Sequence, residues 1–224
     1  MKYAIIGAME EETQYLVSML EDCTETRIYD YVFYQGKLLT KDVVLATSGI
    51  GKVAASMLLT IMINNFAVDK IINVGVAGGM PGKVKVMDIV VGNLVMYHDV
   101  DVRAFNYLYG QLPGNPKCFV GDPFLISLVE GKVGGIITGD EFVTDASKII
   151  KKVENYFQDE NILAFDMESA AYAQTAYKLK KPFLSIRAIS DVSGEDAQVE
   201  MYENALEEAS ILVCKVLLSM FKKI

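Results

Sequence analysis

Acidic side chains follow three segments of the sequence that have the composition of buried strands. The run KYAIIGA leads into Glu10–Glu12, ENILAF leads into Asp166 and Glu168, and FLSIRAIS leads into Asp191. In open α/β sheets, ligands bind where the carboxyl ends of the strands meet, so we expect these carboxylates to face one site. Ionised acids avoid dry interiors unless a partner holds them, and Arg187 is the main basic residue nearby. The acids are therefore predicted to serve a binding site.

Each of these acids also has a purely structural explanation. Glu10, Glu11 and Glu168 would be favourable in the first turn of a helix, where negative charge contributes about 0.3–1 kcal/mol. Asp191 would be suitable as an N-cap. A glycine-rich segment, Val76–Gly79, ends a further predicted strand and would let a ligand approach the backbone. The acids and this segment together favour a site over four separate structural roles.

Bulk composition excludes several classes of function. The chain has 224 residues, is 52% hydrophobic and carries a net charge of −8 with a pI near 4.8, which argues against nucleic acid or an anionic membrane as partner. Cys23, Cys118 and Cys214 are widely spaced, and His98 is the only histidine. They predict no disulfide framework and no metal site, and a cytoplasmic location is expected. No apolar run approaches the length of a membrane span.

Short β-branched runs alternate with segments of helical period, which predicts an α/β fold in a single domain over residues 1–224. The pattern predicts helices over 10–22, 51–66 and 200–223, and a long loop over 103–123. A hairpin pair is predicted over 31–49 with turns near Gly36 and Lys41–Asp42, and one or two strands over 88–102.

Two glycine-rich segments superficially resemble nucleotide-binding loops. SGIGKVAA does not satisfy GxxxxGK[ST], because Lys52 is followed by Val53, and GVAGGM does not satisfy GxGxxG. Neither segment predicts a nucleotide cofactor, and no cofactor is expected.

Several motifs together resemble one family, the 5′-methylthioadenosine/S-adenosylhomocysteine nucleosidases of the nucleoside phosphorylase superfamily. They are IIGAMEEE, SGIGKVAA, NVGVAGG, DIVVGN, YHDVDVRAFNYLYGQLPG, TGDEFV, DMESAA and RAISDVSG. The resemblance implies a three-layer α/β/α sandwich with a mixed central sheet. The phosphorylases of the superfamily carry a Gly-Asp-Pro-Arg type phosphate loop where this chain has Ala8–Glu12. An acidic cluster would repel phosphate, which favours water as the nucleophile.

The resemblance implies hydrolysis of the N-glycosidic bond of adenine thionucleosides, in which an oxocarbenium-like sugar forms as adenine leaves. By analogy with the family, Glu12 activates the water and Asp191 protonates the purine at N7. Glu168 accepts hydrogen bonds from the ribose hydroxyls, and its place at a helix N-terminus is expected to keep it ionised. Ser190 would fix Asp191, and Arg187 would orient Glu168.

The resemblance assigns further side chains to substrate binding. Met167 would pack against the sugar, Phe142 would stack near the base, and Val143 would offer backbone hydrogen bonds to it. Without the resemblance, core packing is the better explanation of Phe142 and Met167. The remaining positions matched to substrate binding are Ala8, Met9, Ile50, Val76, Ala77, Gly78, Phe165, Asp166 and Met201.

A loop of the family reaches across a homodimer interface to cover the alkylthio group bound by the neighbouring subunit. Val102, Phe105 and Pro113 match the positions concerned. An apolar loop of this kind would otherwise be an exposed liability, which supports an interface. The resemblance therefore implies a homodimer.

Three positions depart from the pattern of the family. Val76 stands where a serine is frequent, Asp166 where a glutamate is commoner, and Met201 where a substrate-facing phenylalanine is usual. These departures leave the preferred substrate open, including aminodeoxyfutalosine. A phosphate-dependent nucleoside phosphorylase and a nucleoside-binding protein without catalysis are the remaining alternatives.

Overall fold

A mixed sheet of ten strands organises the protein. The computed structural model describes residues 1–194 and 197–224. The strands are β1 Lys2–Gly7, β2 Glu21–Ile28, β3 Tyr31–Leu38, β4 Lys41–Thr47, β5 Lys70–Gly79, β6 Ile89–Tyr97, β7 Phe119–Val120, β8 Lys132–Thr138, β9 Ile162–Asp166 and β10 Phe183–Val192. The helices are α1 Glu10–Val17, α2 Lys52–Asn65, α3 Pro123–Leu128, α4 Ala146–Tyr156, α5 Ser169–Lys178 and α6 Gln198–Phe221.

The sheet combines parallel and antiparallel pairing. Strands β4, β1, β5 and β10 are parallel neighbours in that order, whereas β10 pairs with β6, and β5 with β9, in antiparallel fashion. Because β6 also pairs with β8, and β8 with β9, five strands close into a ring. The carboxyl ends of β1, β5, β9 and β10 meet on one side of this ring.

Helices cover both faces of the sheet. One hydrophobic cluster joins β1, β4, β5 and β10 to α1 and α6, and a second joins the opposite face to α2 and α5. The expected three-layer α/β/α arrangement with a mixed central sheet is thereby confirmed. The single domain over residues 1–224 stays a prediction, which the shared sheet supports. In the described part of the chain, no helix combines the length and the apolarity needed to cross a bilayer.

Several boundaries differ from the sequence prediction. The first helix ends at Val17 rather than near residue 22, and β2 begins at Glu21. The sequence did not predict β2 because this largely exposed edge strand has no hydrophobic alternation. Gly36 lies within β3 rather than in a turn. Glycine is needed at this position because a side chain would meet the backbone of Glu21. Residues 88–102 contain a single strand, β6, and α4 was not predicted.

Candidate active site

A pocket opens where β1, β5, β9 and β10 end. Its empty volume, which includes space open to solvent, is about 560 Å³. Most of the predicted site residues line it: Ala8, Met9, Glu12, Ile50, Val76, Ala77, Gly78, Phe142, Val143, Phe165, Asp166, Met167, Glu168, Ser190 and Asp191. The topology of the sheet thus brings residues from distant parts of the sequence into one concave surface.

Two predicted residues lie outside the lining, and two unpredicted ones lie within it. Arg187 is fully buried behind the pocket, and Met201 does not line it. Glu141 and Tyr202 do. Helix α6 begins at Gln198, and from its first turns Tyr202 lines the pocket, whereas the neighbouring Met201 does not.

Glu12 is held by backbone N–H groups from two strand ends. Its Oε2 accepts hydrogen bonds from the N–H of Ala8 at 2.6 Å and of Met9 at 3.0 Å, and its Oε1 accepts from Val76 N–H at 2.9 Å. Burial raises the pKa of Glu12, against the lowering effects of Arg187 and of these backbone donors. The carboxyl is therefore fixed in place and has an increased affinity for a proton.

Asp191 is held by side chains instead. Its Oδ1 accepts from the Ser190 hydroxyl at 2.8 Å, and its Oδ2 accepts from Gln198 Nε2 at 2.6 Å. Burial raises the pKa of Asp191, although both of these hydrogen bonds act in the opposite direction. Ser190 therefore makes the contact expected of it, while Gln198 had not been identified from the sequence.

Glu168 is a buried carboxyl whose pKa is raised more than its place at a helix N-terminus predicts. It is the N-cap of α5, and its Oε1 accepts from Gly51 N–H at 2.8 Å. Burial and the charge of Asp166 raise the pKa of Glu168 to about 7, despite the lowering effects of Arg187 and Gly51. A helix terminus offsets only part of the desolvation of a buried carboxylate, so Glu168 is expected to be partly ionised near neutral pH.

Arg187 contacts Asp166 rather than orienting Glu168. Its Nη2 lies 2.8 Å from Asp166 Oδ2 in a buried ion pair and also donates to Asn73 and Ser169. Its Nη1 has no hydrogen-bond partner among residues 1–194 and 197–224. A Cβ at Gly75 would clash with both Arg187 Nη1 and Glu12 Oε1. The missing side chain at Gly75 therefore lets the cation and the Glu12 carboxyl approach each other.

Aromatic and apolar side chains form the outer part of the pocket. The rings of Phe142 and Tyr202 are 5.5 Å apart in an edge-to-face arrangement, and the Tyr202 hydroxyl lies 3.5 Å from Met9 Sδ. Phe142 is 43% exposed, so it lies at the mouth of the pocket. This end of the site suits an apolar ligand group.

The loop expected to cross a dimer interface lies away from the pocket of its own chain. None of Val102, Phe105 and Pro113 lines it, and Phe105 is 74% exposed. Within residues 1–194 and 197–224, no group of three or more His, Cys, Asp or Glu side chains is placed to hold a metal ion.

Comparisons with known proteins agree with this geometry. A family model described as the phosphorylase superfamily matches residues 2–222. A 5′-methylthioadenosine/S-adenosylhomocysteine nucleosidase of an Exiguobacterium species is 40% identical over 100% of this chain and 99% of its own length.

Solved structures lead to the same family. The nucleosidase of the same name from Colwellia psychrerythraea, in complex with adenine, has a TM-score of 0.93 at 40% identity and covers 100% of this chain and 95% of its own. The futalosine hydrolase of Helicobacter pylori has a TM-score of 0.90 at 30% identity, with 100% and 98% covered. The chain belongs to the phosphorylase superfamily and, within it, to the 5′-methylthioadenosine/S-adenosylhomocysteine nucleosidase family.

Proposed function

We propose that the protein hydrolyses the N-glycosidic bond of 5′-methylthioadenosine and S-adenosylhomocysteine and releases adenine. The observation that carries this proposal is that Glu12, Glu168 and Asp191, all buried, face one pocket from three strand ends. Breaking this bond requires a base for water, an acid for the purine and negative charge near the developing cation.

Glu12 is the proposed base. Three backbone N–H groups fix its carboxyl. Burial raises the pKa of Glu12, so its carboxylate has an increased affinity for a proton and can take one from a water molecule in the pocket. The cation of Arg187 lies next to it across Gly75 and would stabilise the carboxylate before that transfer.

Asp191 is the proposed acid for the departing purine. Its pKa is raised by burial, which favours the protonated carboxyl that a general acid requires. Glu168 would accept hydrogen bonds from the ribose hydroxyls, and Phe142 at the mouth of the pocket would stack near the base.

A phosphorylase is less compatible with this pocket. Among the described residues, no lysine or arginine lines it, while five acids do: Glu12, Glu141, Asp166, Glu168 and Asp191. Phosphate entering this pocket would meet several carboxyl groups. A neutral water molecule is not repelled by these groups, so water is the proposed nucleophile.

Product analysis with and without phosphate tests the proposal. We expect the purified protein to release adenine from 5′-methylthioadenosine at equal rates in both conditions. Glu12→Gln and Asp191→Asn should each lower kcat by about 10²–10⁴-fold. Glu11→Gln, which changes an exposed acid one residue from Glu12, is the matched control. A requirement for phosphate, with release of a sugar 1-phosphate, would assign the protein to the phosphorylases instead.

A second substrate class deserves the same assay. The fold is shared with the futalosine hydrolase of Helicobacter pylori, and Val76 places an apolar side chain against the sugar side of the pocket. Aminodeoxyfutalosine is therefore compared with 5′-methylthioadenosine by kcat/KM. A higher value for aminodeoxyfutalosine would make that nucleoside the preferred substrate.

We further propose that the protein acts as a cytoplasmic homodimer. Phe105 and Leu108, in the loop that follows β6, are 74% and 59% exposed, and Val53 and Met57 expose apolar surface on α2. Where exposed apolar side chains form a contiguous patch, they mark protein–protein contact sites, and a homodimer would cover these residues. A monomeric mass in light scattering at micromolar concentration would overturn the homodimer.

A further inference from the structure

Gln198 is a buried side chain next to the pocket whose polar atoms are all engaged. Its Nε2 donates to Val143 O at 2.9 Å and to Asp191 Oδ2 at 2.6 Å, and its Oε1 accepts from Gly194 N–H at 3.3 Å. Gln198 itself does not line the pocket, whereas Val143 and Asp191 do. The amide therefore stands behind the pocket wall and joins two segments that form it.

The orientation of this amide follows from its neighbours. A backbone carbonyl can only accept and a backbone N–H can only donate, so Nε2 must face Val143 and Oε1 must face Gly194. The second hydrogen of Nε2 is then directed at Asp191 Oδ2. The lone pair of Oδ2 that faces Gln198 must be free of a proton.

The other oxygen of Asp191 has a different partner. Ser190 contributes a hydroxyl, which can donate to a carboxylate or accept from a carboxylic acid. Ser190 therefore accommodates both protonation states of Asp191, while Gln198 holds the carboxyl in one plane in either state.

Building on the proposed hydrolase function, we propose that Gln198 is a positioning residue for purine departure. It fixes the Asp191 carboxyl relative to the Val143 backbone, and so it sets the distance between the two groups assigned to the purine. These groups come from the end of β10 and from the loop after β8, and the Gln198 amide hydrogen-bonds to both.

A competing arrangement is displacement of Gln198 by the base. A purine amino group has two hydrogens, as the Gln198 amide nitrogen does, and could donate to the same two acceptors. Gln198 is buried and absent from the pocket lining, which favours a permanent brace. The two arrangements predict opposite changes in adenine affinity when the amide is removed.

Gln198→Met tests the brace, because methionine keeps the approximate size and removes the hydrogen bonds. Gln174→Met is the matched control, since Gln174 loses a single hydrogen bond, from Tyr97, away from the pocket. We measure kcat and KM for 5′-methylthioadenosine, the Kd of adenine by calorimetry, and thermal unfolding. The brace predicts that Gln198→Met lowers kcat about tenfold to a hundredfold with a smaller change in KM, and weakens adenine binding.

Gln198→Glu provides an independent variant of the same size. It replaces the donor with an acceptor facing both Val143 O and Asp191, so its kcat should fall below that of Gln198→Met. A kcat of Gln198→Met within twofold of wild type would overturn the brace, and tighter adenine binding would favour displacement instead. If the wild-type protein releases no adenine, the proposed function fails. If the wild-type protein is active and the Gln198 variants keep its kcat, only the inference about Gln198 is overturned.

Discussion

The two ends of the pocket hold their carboxyl groups by different means. At the sugar end, around Glu12 and Glu168, the donors are backbone N–H groups of Ala8, Met9, Val76 and Gly51. At the purine end, around Asp191, side chains of Ser190 and Gln198 take their place. Substitution cannot remove a backbone donor without changing the fold, so the sugar end is fixed by architecture and the purine end by side-chain identity.

The two ends also differ in charge balance. The buried guanidinium of Arg187 forms an ion pair with Asp166 and lowers the proton affinity of Glu12 and Glu168. Only hydrogen bonds, with no nearby cation, oppose the effect of burial on Asp191 in the described residues. This difference suits the proposed roles, in which one end carries negative charge near the sugar and the other delivers a proton to the purine.

Removing the cation of the sugar end should have the largest effect. Arg187→Met leaves Asp166 buried without its ion-pair partner, and we expect the free energy of unfolding to fall by about 3–5 kcal/mol. Urea unfolding measures this loss. Lys223→Met, which breaks a surface pair with the exposed Glu130, is the control and should stay within roughly 0.5 kcal/mol of wild type. A loss below about 1 kcal/mol for Arg187→Met would mean that Arg187 does not balance the buried acids.

Gly75→Ala should disturb the same end without removing a charge. The new Cβ would clash with Arg187 Nη1 and Glu12 Oε1 in the buried middle of β5, so both side-chain ends would have to move. We expect kcat/KM to fall about a hundredfold, since small misplacements of a catalytic group have effects of that size. The measurement is steady-state kinetics with 5′-methylthioadenosine.

Gly82→Ala is the control for this substitution. Its Cβ would meet no atom within 4 Å, although the φ of +74° is unfavourable for alanine. It should cost about 1–2 kcal/mol of stability and leave kcat/KM within twofold of wild type. Equal kinetic losses in both variants would show that backbone strain, rather than the clash at Glu12, is responsible.

Sequence reasoning predicted the buried elements of the fold better than the exposed ones. The buried runs of β1, β5 and β10 and the helix α2 were placed correctly, because burial imposes a hydrophobic pattern on them. Strand β2 was missed because an exposed edge strand imposes no such pattern. The family resemblance was confirmed by the comparisons.

Most of the pocket residues were predicted from motifs of the family. The residues that were missed reach the pocket only through three-dimensional contacts. Gln198 and Tyr202 approach the pocket from the start of α6, and no local pattern marks a glutamine that reaches Asp191 and Val143 at once. The raised pKa of Glu168 was not foreseen, because the sequence places Glu168 at a helix N-terminus but does not reveal how deeply the carboxyl is buried.

The protonation of Glu168 should be visible as a smaller, pH-dependent effect. Its pKa is about 7 in the folded protein, against a usual value of 4.5, so the folded state binds more protons than the unfolded state between these two values. The free energy of unfolding should therefore fall as pH rises from about 4.5 to 7, by on the order of 2 kcal/mol. Glu168→Gln removes this contribution.

The test compares Glu168→Gln with wild type by urea unfolding at pH 5 and pH 8. The stability of the variant relative to wild type should increase between these two conditions, because only wild type must bury a carboxylate as the pH rises. Glu11→Gln makes the same charge change at an exposed position and corrects for general effects of charge. A relative stability that is equal at both pH values, or that decreases, would mean that Glu168 is already ionised at pH 5. The sugar end would then carry its full negative charge throughout this range, and the helix N-terminus would outweigh burial after all.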